Sequence, residues 1–203
     1  MEKPFQSALS AIILAGGKSS RMGKDKALIE IKGVPLLQRS ATLIQAYANP
    51  IYIITPWIER YQRIVPSSCY LLQEVCPSGD SQGPLVGFAQ ALSHVKTEWV
   101  LLLACDLPNL TTQAIEEWLQ QLHQVSDQVT ACLPLHEKGW DPLCGFYRSS
   151  CLTSLESFIQ AGGRSFQQWL QCEYVQELFV SDRSVLFNCN TQMDLKGIIE
   201  KSR

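Results

Sequence analysis

Two short segments of this chain hold the residue types that phosphoryl chemistry needs. The first is Leu14-Ala15-Gly16-Gly17-Lys18-Ser19-Ser20-Arg21-Met22-Gly23-Lys24-Asp25-Lys26. Its adjacent glycines, Gly16 and Gly17, let the backbone turn tightly and bring N–H groups close to anionic oxygens. Four cations, Lys18, Arg21, Lys24 and Lys26, fall within nine residues. Arg21 can hold a phosphate through a planar fork, and Lys26 as a point charge. The second segment is Trp99-Val100-Leu101-Leu102-Leu103-Ala104-Cys105-Asp106-Leu107-Pro108. A carboxylate directly after a wholly apolar run is partly desolvated, which is unfavourable without a partner. Magnesium is a natural partner, because it takes oxygen ligands and uses one or two carboxylates plus substrate phosphates. Taken singly, the first segment also reads as a strand-ending turn with solvated charges, and Asp106 as a turn or helix cap. Their pairing favours phosphate and metal.

Two common phosphate signatures are excluded. A dinucleotide fingerprint needs GxGxxG, but Lys18 follows Gly17 and no such spacing comes after it. Gly17-Lys18-Ser19 resembles the end of a Walker A loop, but the glycine required five residues before Gly17 is Ile12. The two segments together describe phosphoryl-type chemistry, and nucleotidyl transfer is one form of it. It needs a cation near the α-phosphate, positive charge for the departing pyrophosphate, and an acceptor oxygen held in line. An acceptor that is already an ionised phosphate needs no general base. The three histidines, His94, His123 and His136, accordingly read as surface or structural residues.

The elements that must position these residues follow from the apolar pattern. Leu9–Ala15 is an Ile- and Leu-rich run ending at the glycines. Pro35–Ala48 reads as a helix, with Leu36, Leu37, Leu43 and Ile44 at helical spacing and Pro in its first turn. Ile51–Thr55 is a β-branched strand ended by Pro56, and Pro84–Val95 is a helix. Trp99–Ala104 has no alternation and suits a central strand buried on both faces. A helix opens at Leu110-Thr111-Thr112 and runs to about His123. Strand and helix in alternation predict an α/β sandwich with a mainly parallel sheet. In the second half Val129–Leu133, Leu143–Tyr147 and Tyr174–Val180 read as strands. Cys151–Gln160, Ser165–Gln171 and Thr191–Lys201 read as helices. Part of this half is expected to add strands to the same sheet.

Composition narrows the class. The 203 residues suit one domain, with a nucleotide-binding half at about 8–110 and an acceptor-binding half at about 111–203. A formal net charge of -2 argues against nucleic-acid or anionic-membrane partners. No apolar run reaches transmembrane length, and Met1 to Ser10 lack a cleavage-site pattern. The eight cysteines include no CxxC pair, and several lie inside apolar runs, as expected for reduced, buried residues of a cytoplasmic protein.

At these residues the sequence resembles the molybdenum cofactor guanylyltransferases. The resemblance rests on Leu14-Ala15-Gly16-Gly17-x-Ser19-x-Arg21-Met22-Gly23-x-Asp25-Lys26, on Gly83-Pro84-Leu85-x-Gly87, on Cys105-Asp106-x-Pro108 and on Phe187-Asn188-x-Asn190-Thr191-x-x-Asp194-Leu195. The first motif alone is shared with other nucleotidyltransferases; four in order are more specific. The resemblance implies a three-layer α/β sandwich with a mostly parallel, Rossmann-like nucleotidyltransferase sheet. It implies transfer of GMP from GTP to molybdopterin, giving the guanine dinucleotide cofactor with Mg2+ as the metal. Molybdoenzymes or their chaperones would receive the product. Leu14, Ala15, Gly16 and Gly17 would contact the nucleotide, Lys26 its phosphates, and Gly83 and Pro84 the same ligand. Arg21, Lys26 and Asp106 would be catalytic, with Asp106 as metal ligand. Asn188 and Asn190 would lie toward the pterin, whose edge both donates and accepts as an amide does; a turn and cap before Thr191 is their other reading.

The sequence departs from the family at three places. Glu74 stands where an Asp ahead of the Gly-Pro-Leu loop usually contacts the nucleotide, and Val75–Gln82 is slightly long. Thr55 stands where Asn is frequent. Asp141-Pro142 stands where the family shows His-Pro, and Asp141 either faces the acceptor or starts a turn. Two other functions fit the same residues: a cytidylyl- or sugar-phosphate nucleotidyltransferase, and a non-catalytic GTP- or cofactor-binding carrier.

Overall fold

A computed structural model of the chain describes residues 9–16, 25–76, 82–191, 193–194 and 197–198. Its elements, in chain order, begin with β1 (Leu9–Leu14), a 3-10 turn (Lys26–Leu28), the short β2 (Glu30–Ile31) and β3 (Val34–Pro35), and α1 (Leu36–Ile44). Then come β4 (Ile51–Thr55), α2 (Ile58–Tyr61), β5 (Cys69–Gln73), α3 (Pro84–Leu92), β6 (Trp99–Ala104) and α4 (Thr112–Leu122). The second half holds β7 (Ala131–Leu133), β8 (Leu135–His136), β9 (Gly139–Trp140), β10 (Cys144–Arg148), α5 (Leu152–Gln160), α6 (Phe166–Leu170) and β11 (Val175–Glu177).

Seven strands form one sheet in the order β11-β7-β10-β6-β1-β4-β5. Strands β6, β1, β4 and β5 are parallel, β10 runs antiparallel to β6 and β7, and β11 is parallel to β7. The apolar runs explain the centre. In β1 and β6 every residue but the last is buried, because helices cover both faces. Side chains alternate between two cores as a pleated strand requires. Leu9, Ala11 and Ile13 of β1, with Leu101 and Leu103 of β6, face Leu37, Ala41 and Ile44 of α1 and Ile115, Trp118 and Leu122 of α4. Ile12, Val100 and Leu102 face Leu85, Phe88 and Leu92 of α3, Leu155 of α5, and Phe166 and Trp169 of α6. The architecture is the three-layer α/β sandwich expected, with strands from both halves of the sequence in its sheet.

The strand order matters for function. From β1 the chain moves outward to β4 and β5, then crosses back through α3 to β6 on β1's other flank. The order therefore reverses between β1 and β6, where open α/β sheets leave a crevice at the strands' carboxyl ends. Leu14 and Ala104 are register partners at that edge, so the glycine segment and Asp106 leave the sheet side by side.

Several elements differ in extent from the sequence reading. Strand β5 and helix α2 were not expected at all. Strand β11 keeps only the middle of the Tyr174–Val180 run, and α1 begins at Leu36 because Val34 and Pro35 pair with Glu30 and Ile31. Of the helix expected over Thr191–Lys201, Met193, Asp194, Gly197 and Ile198 are helical and the rest falls partly outside the described residues.

Candidate active site

Gly16 and its neighbours set the floor of the crevice. Ala15 N–H continues the ladder to Ile54 O at 3.0 Å. At Gly16, with φ of 150°, an added Cβ would lie 2.4 Å from Pro56 Cδ, so the chain passes the end of β4 only without a side chain. Leu14, Ala15 and Gly16 lie in this turn; Gly17 and Arg21 lie outside the described residues.

The chain re-enters at Asp25, which caps the 3-10 turn. Its Oδ1 accepts from Ala27 N–H at 3.1 Å, and its Oδ2 accepts from Tyr61 Oη–H at 2.7 Å. Arg60 adds an ion pair to Oδ2 at 3.6 Å. Burial and this hydrogen bond to a carboxylate push the Tyr61 phenol above its ordinary range, so it remains a donor. Asp25, one of the glycine-segment residues, thus acts as a brace, and what it braces is Lys26.

Lys26 Nζ donates to Asp106 Oδ2 at 2.9 Å and to Asn190 Oδ1. Three segments distant in sequence converge on one ammonium. Asp106 is largely buried, with a side chain 13% exposed, and its Oδ1 is buried without a hydrogen-bond partner. A buried, unpartnered carboxylate oxygen is unfavourable by itself and fits a hard divalent cation. Among the described residues no cluster of three His, Cys, Asp or Glu side chains could hold a metal, so the remaining coordination would fall to phosphates and water. Next to it, burial first and the Asp106 charge second push the Cys105 thiol up to about 12, which keeps it neutral.

The C-terminal motif is bound into this centre by its backbone. Cys189 N–H donates to Asp106 O at 3.0 Å, and the fully buried Cys189 packs with Ile29, Ile31, Leu36 and Ile198. Asn190 and Thr191 N–H groups both donate to Asp194 Oδ2, at 2.9 and 2.7 Å, while Asp194 N–H donates to Thr191 Oγ1 at 3.1 Å. Phe187-Asn188-x-Asn190-Thr191-x-x-Asp194 is therefore a reciprocal cap whose loop delivers two amides.

Beyond Asn188 opens a cavity of about 700 Å³, lined by the β8–β9 hairpin with Asp141, Gln167, Arg183 and Leu186. Arg183 donates to Leu135 O, and Gln167 Nε2 donates to Trp140 O at 2.6 Å, so both hold the hairpin in place. Gly139 permits this: with φ of 115°, its Cβ would meet Gln167 Oε1 at 2.8 Å. Asp141 lines the cavity and pairs with His136 Nε2 at 3.5 Å. Burial is the larger effect on its carboxyl and raises its pKa; His136 opposes that. His136, Trp140, Gln167 and Arg183 carried no signal in the sequence, because the hairpin that gathers them is only two residues per strand.

On the other flank, Glu74 N–H donates to Thr55 O at 2.8 Å, which sets Glu74 at the carboxyl end of β5. Gly83 precedes α3, and Pro84 is its first residue. Gln90 of α3 clamps Val75 from both sides, donating to its carbonyl at 2.9 Å and accepting from its N–H at 2.8 Å. Glu74, Gly83 and Pro84 therefore sit at the same sheet edge as Gly16, toward β4 and β5, while Asn188 lies across β6.

Similarity to known proteins agrees with this geometry. The chain is 54% identical over 190 residues to a Nostoc protein named "Probable molybdenum cofactor guanylyltransferase", covering 94% of this chain and 90% of that one. A Synechococcus elongatus protein of the same name is 41% identical over 189 residues, with 93% and 97% covered. The crystal structure of molybdopterin-guanine dinucleotide biosynthesis protein A from Archaeoglobus fulgidus superposes with a TM-score of 0.73 at 22% identity, covering 95% of this chain and 98% of that one, and so shares the fold. Residues 11–176, which hold the glycine turn, Lys26, Asp106 and the β8–β9 hairpin, match the family model of the MobA-like NTP transferase domain, and the chain belongs to that family.

Proposed function

We propose that this chain transfers GMP from GTP to molybdopterin, forming the guanine dinucleotide cofactor and releasing pyrophosphate. The observation that carries the reading is the convergence of Lys26, Asp106 and Asn190 between the glycine turn and the hairpin cavity. The names of the relatives support the choice of substrates. The donor nucleotide takes the crevice over Leu14, Ala15 and Gly16, bounded by Glu74, Gly83 and Pro84. The acceptor takes the cavity beside Asn188, with its phosphate toward Asp106.

In the reaction an oxygen of the acceptor phosphate forms a bond to the α-phosphorus of GTP. The bond from that phosphorus to the β-bridging oxygen breaks, and its electron pair leaves with pyrophosphate. Lys26 and Arg21 neutralise the charge that gathers on the phosphates. Asp106 holds Mg2+, which when bound withdraws electron density from the phosphoryl oxygens. The largely buried setting of Asp106 strengthens each of these interactions. No proton need be removed from an ionised acceptor phosphate, in keeping with the thiol of Cys105 staying neutral beside the reacting groups. None of the eight cysteines is joined in a disulfide, which suits the reducing cytoplasm we assign to the protein. No helix among the described residues is long and apolar enough to cross a membrane.

The test is pyrophosphate release from GTP, CTP, ATP and UTP in turn, with magnesium and molybdopterin present and the product identified. Release with GTP alone, and a guanine dinucleotide product, is expected. Release with CTP would move the protein to a cytidylyl specificity. Binding of GTP without release from any nucleotide would make it a carrier.

A further inference from the structure

An ammonium has three N–H donors, and in Lys26 two of them are engaged by the protein. The partners differ in kind. Asp106 is a carboxylate and cancels the charge it holds. Asn190 offers a neutral amide oxygen, which orients the ammonium and leaves its charge available to a phosphate. They also differ in what they must do next. A divalent cation at Asp106 repels an ammonium on the same carboxylate, so the pair at 2.9 Å is one that a metal–nucleotide complex loosens.

Asn190 has no such conflict. Its carbonyl is aimed by bonds that do not involve Lys26: the cap on Asp194, and the bond from Cys189 N–H to Asp106 O at 3.0 Å. From the other side, Lys26 opens the turn that Asp25 caps, and Asp25 is itself held by Tyr61. Two backbone segments, each held by its own hydrogen bonds, thus keep one side-chain contact between them.

We propose that Asn190 is a positioning residue for the donor nucleotide: it retains the Lys26 ammonium as Asp106 turns to its metal, and directs it to the nucleotide phosphates. This rests on the nucleotidyl-transfer reading above. It moves Asn190 from the pterin side, where the family resemblance puts it, to the donor side, and leaves Asn188 alone at the acceptor cavity.

The experiment is a double-mutant cycle read in nucleotide affinity. Mg–GTP is titrated into the full chain without acceptor, for the wild type, Asn190→Ala, Lys26→Ala and the double variant. Asn190 is exposed and its cap uses the backbone N–H, so the substitution leaves the fold in place. Asn190→Leu, similar in volume and lacking the carbonyl, must behave as Asn190→Ala does. Loss of a hydrogen bond to a charged group predicts Kd weaker by about tenfold in Asn190→Ala. The double variant should bind no more weakly than Lys26→Ala alone, because Asn190 acts through Lys26. In turnover, KM for the nucleotide rises and KM for the acceptor stays.

An unchanged Kd, with KM for the acceptor raised instead, overturns the proposal. So does an Asn190→Ala effect that persists in full when Lys26 is already Ala. Repeating the cycle with Mg–CTP separates the two readings. A chain that binds CTP in place of GTP refutes the guanylyl assignment, yet the same non-additivity still decides the role of Asn190. A wild-type chain that binds neither nucleotide removes both.

Discussion

The proposed reaction concentrates at Asp106, whose two oxygens differ: one is held by Lys26, the other is buried and unpartnered. Asp106→Asn keeps the shape and an oxygen but halves the hard donors and removes the charge. Turnover should fall by a factor on the order of 100 or more, as when a principal electrostatic group of an active site is lost. Steady-state pyrophosphate release checks this, beside circular dichroism that shows the fold intact. Lys26→Ala should raise KM for the nucleotide as well as lower kcat, since the charge serves both binding and the departing pyrophosphate. Lys26 and Asp106 were legible in the sequence because each follows a strand or turn signal directly. Their support was not. Tyr61 braces Asp25 across 36 residues, and no periodicity or motif links a tyrosine in a four-residue helix to an aspartate in a loop.

At the scale of elements, the site depends on how closely backbones pass at the sheet edge. Gly16→Ala would set a methyl 2.4 Å from a proline ring that cannot rotate aside. It should cost about 1–3 kcal/mol, as overpacking does, seen as a lower denaturant midpoint with the slope unchanged. Asp25→Ala would release both the cap and Tyr61, so about 1–2 kcal/mol of stability should go together with a weaker hold on the nucleotide. The strands that read clearly, β1, β4 and β6, are long, apolar and central. Strand β5 was missed because it is an edge strand with no fully buried residue, and its sequence, Cys-Tyr-Leu-Leu-Gln, neither alternates cleanly nor runs apolar throughout. The β8–β9 hairpin was missed for a similar reason, and with it the residues that shape the acceptor cavity. Asp141, which admitted two readings, lines that cavity.

For the molecule as a whole, the sheet order was beyond the sequence, since the reversal between β1 and β6 is fixed by packing around both faces rather than by any local pattern. The alternation of strand and helix was enough to give the class. Asp141 connects the site to global stability. In the unfolded chain its carboxyl ionises near 3.8, and burial raises that value in the folded protein. Its contribution is therefore fully present below pH 3.8 and is lost as pH rises through the folded value. Asp141→Asn should remove this fall in unfolding free energy, so that wild type and variant differ in slope across the window above pH 3.8. Denaturant titrations from acid to neutral pH would show it.

The hydrogen bond from Cys189 to Asp106 closes a span of 83 residues, and that from Lys26 to Asn190 one of 164. The second exceeds the 90 residues that separate register partners of β1 and β6, so it should form after the sheet has condensed, because closing the longer loop comes before any reward. Both contacts are also expected to open before the sheet does, since among the described residues the motif is anchored through the small apolar cluster of Cys189 with Ile29, Ile31, Leu36 and Ile198. The Cys189 amide proton therefore serves as a clock for the site: its exchange with solvent should be faster than that of the β6 amides in the resting chain, and should slow when a metal–nucleotide complex engages Asp106 and Lys26. A protein whose sheet is fully built would still pass through moments with its catalytic centre apart, and substrate would shorten them.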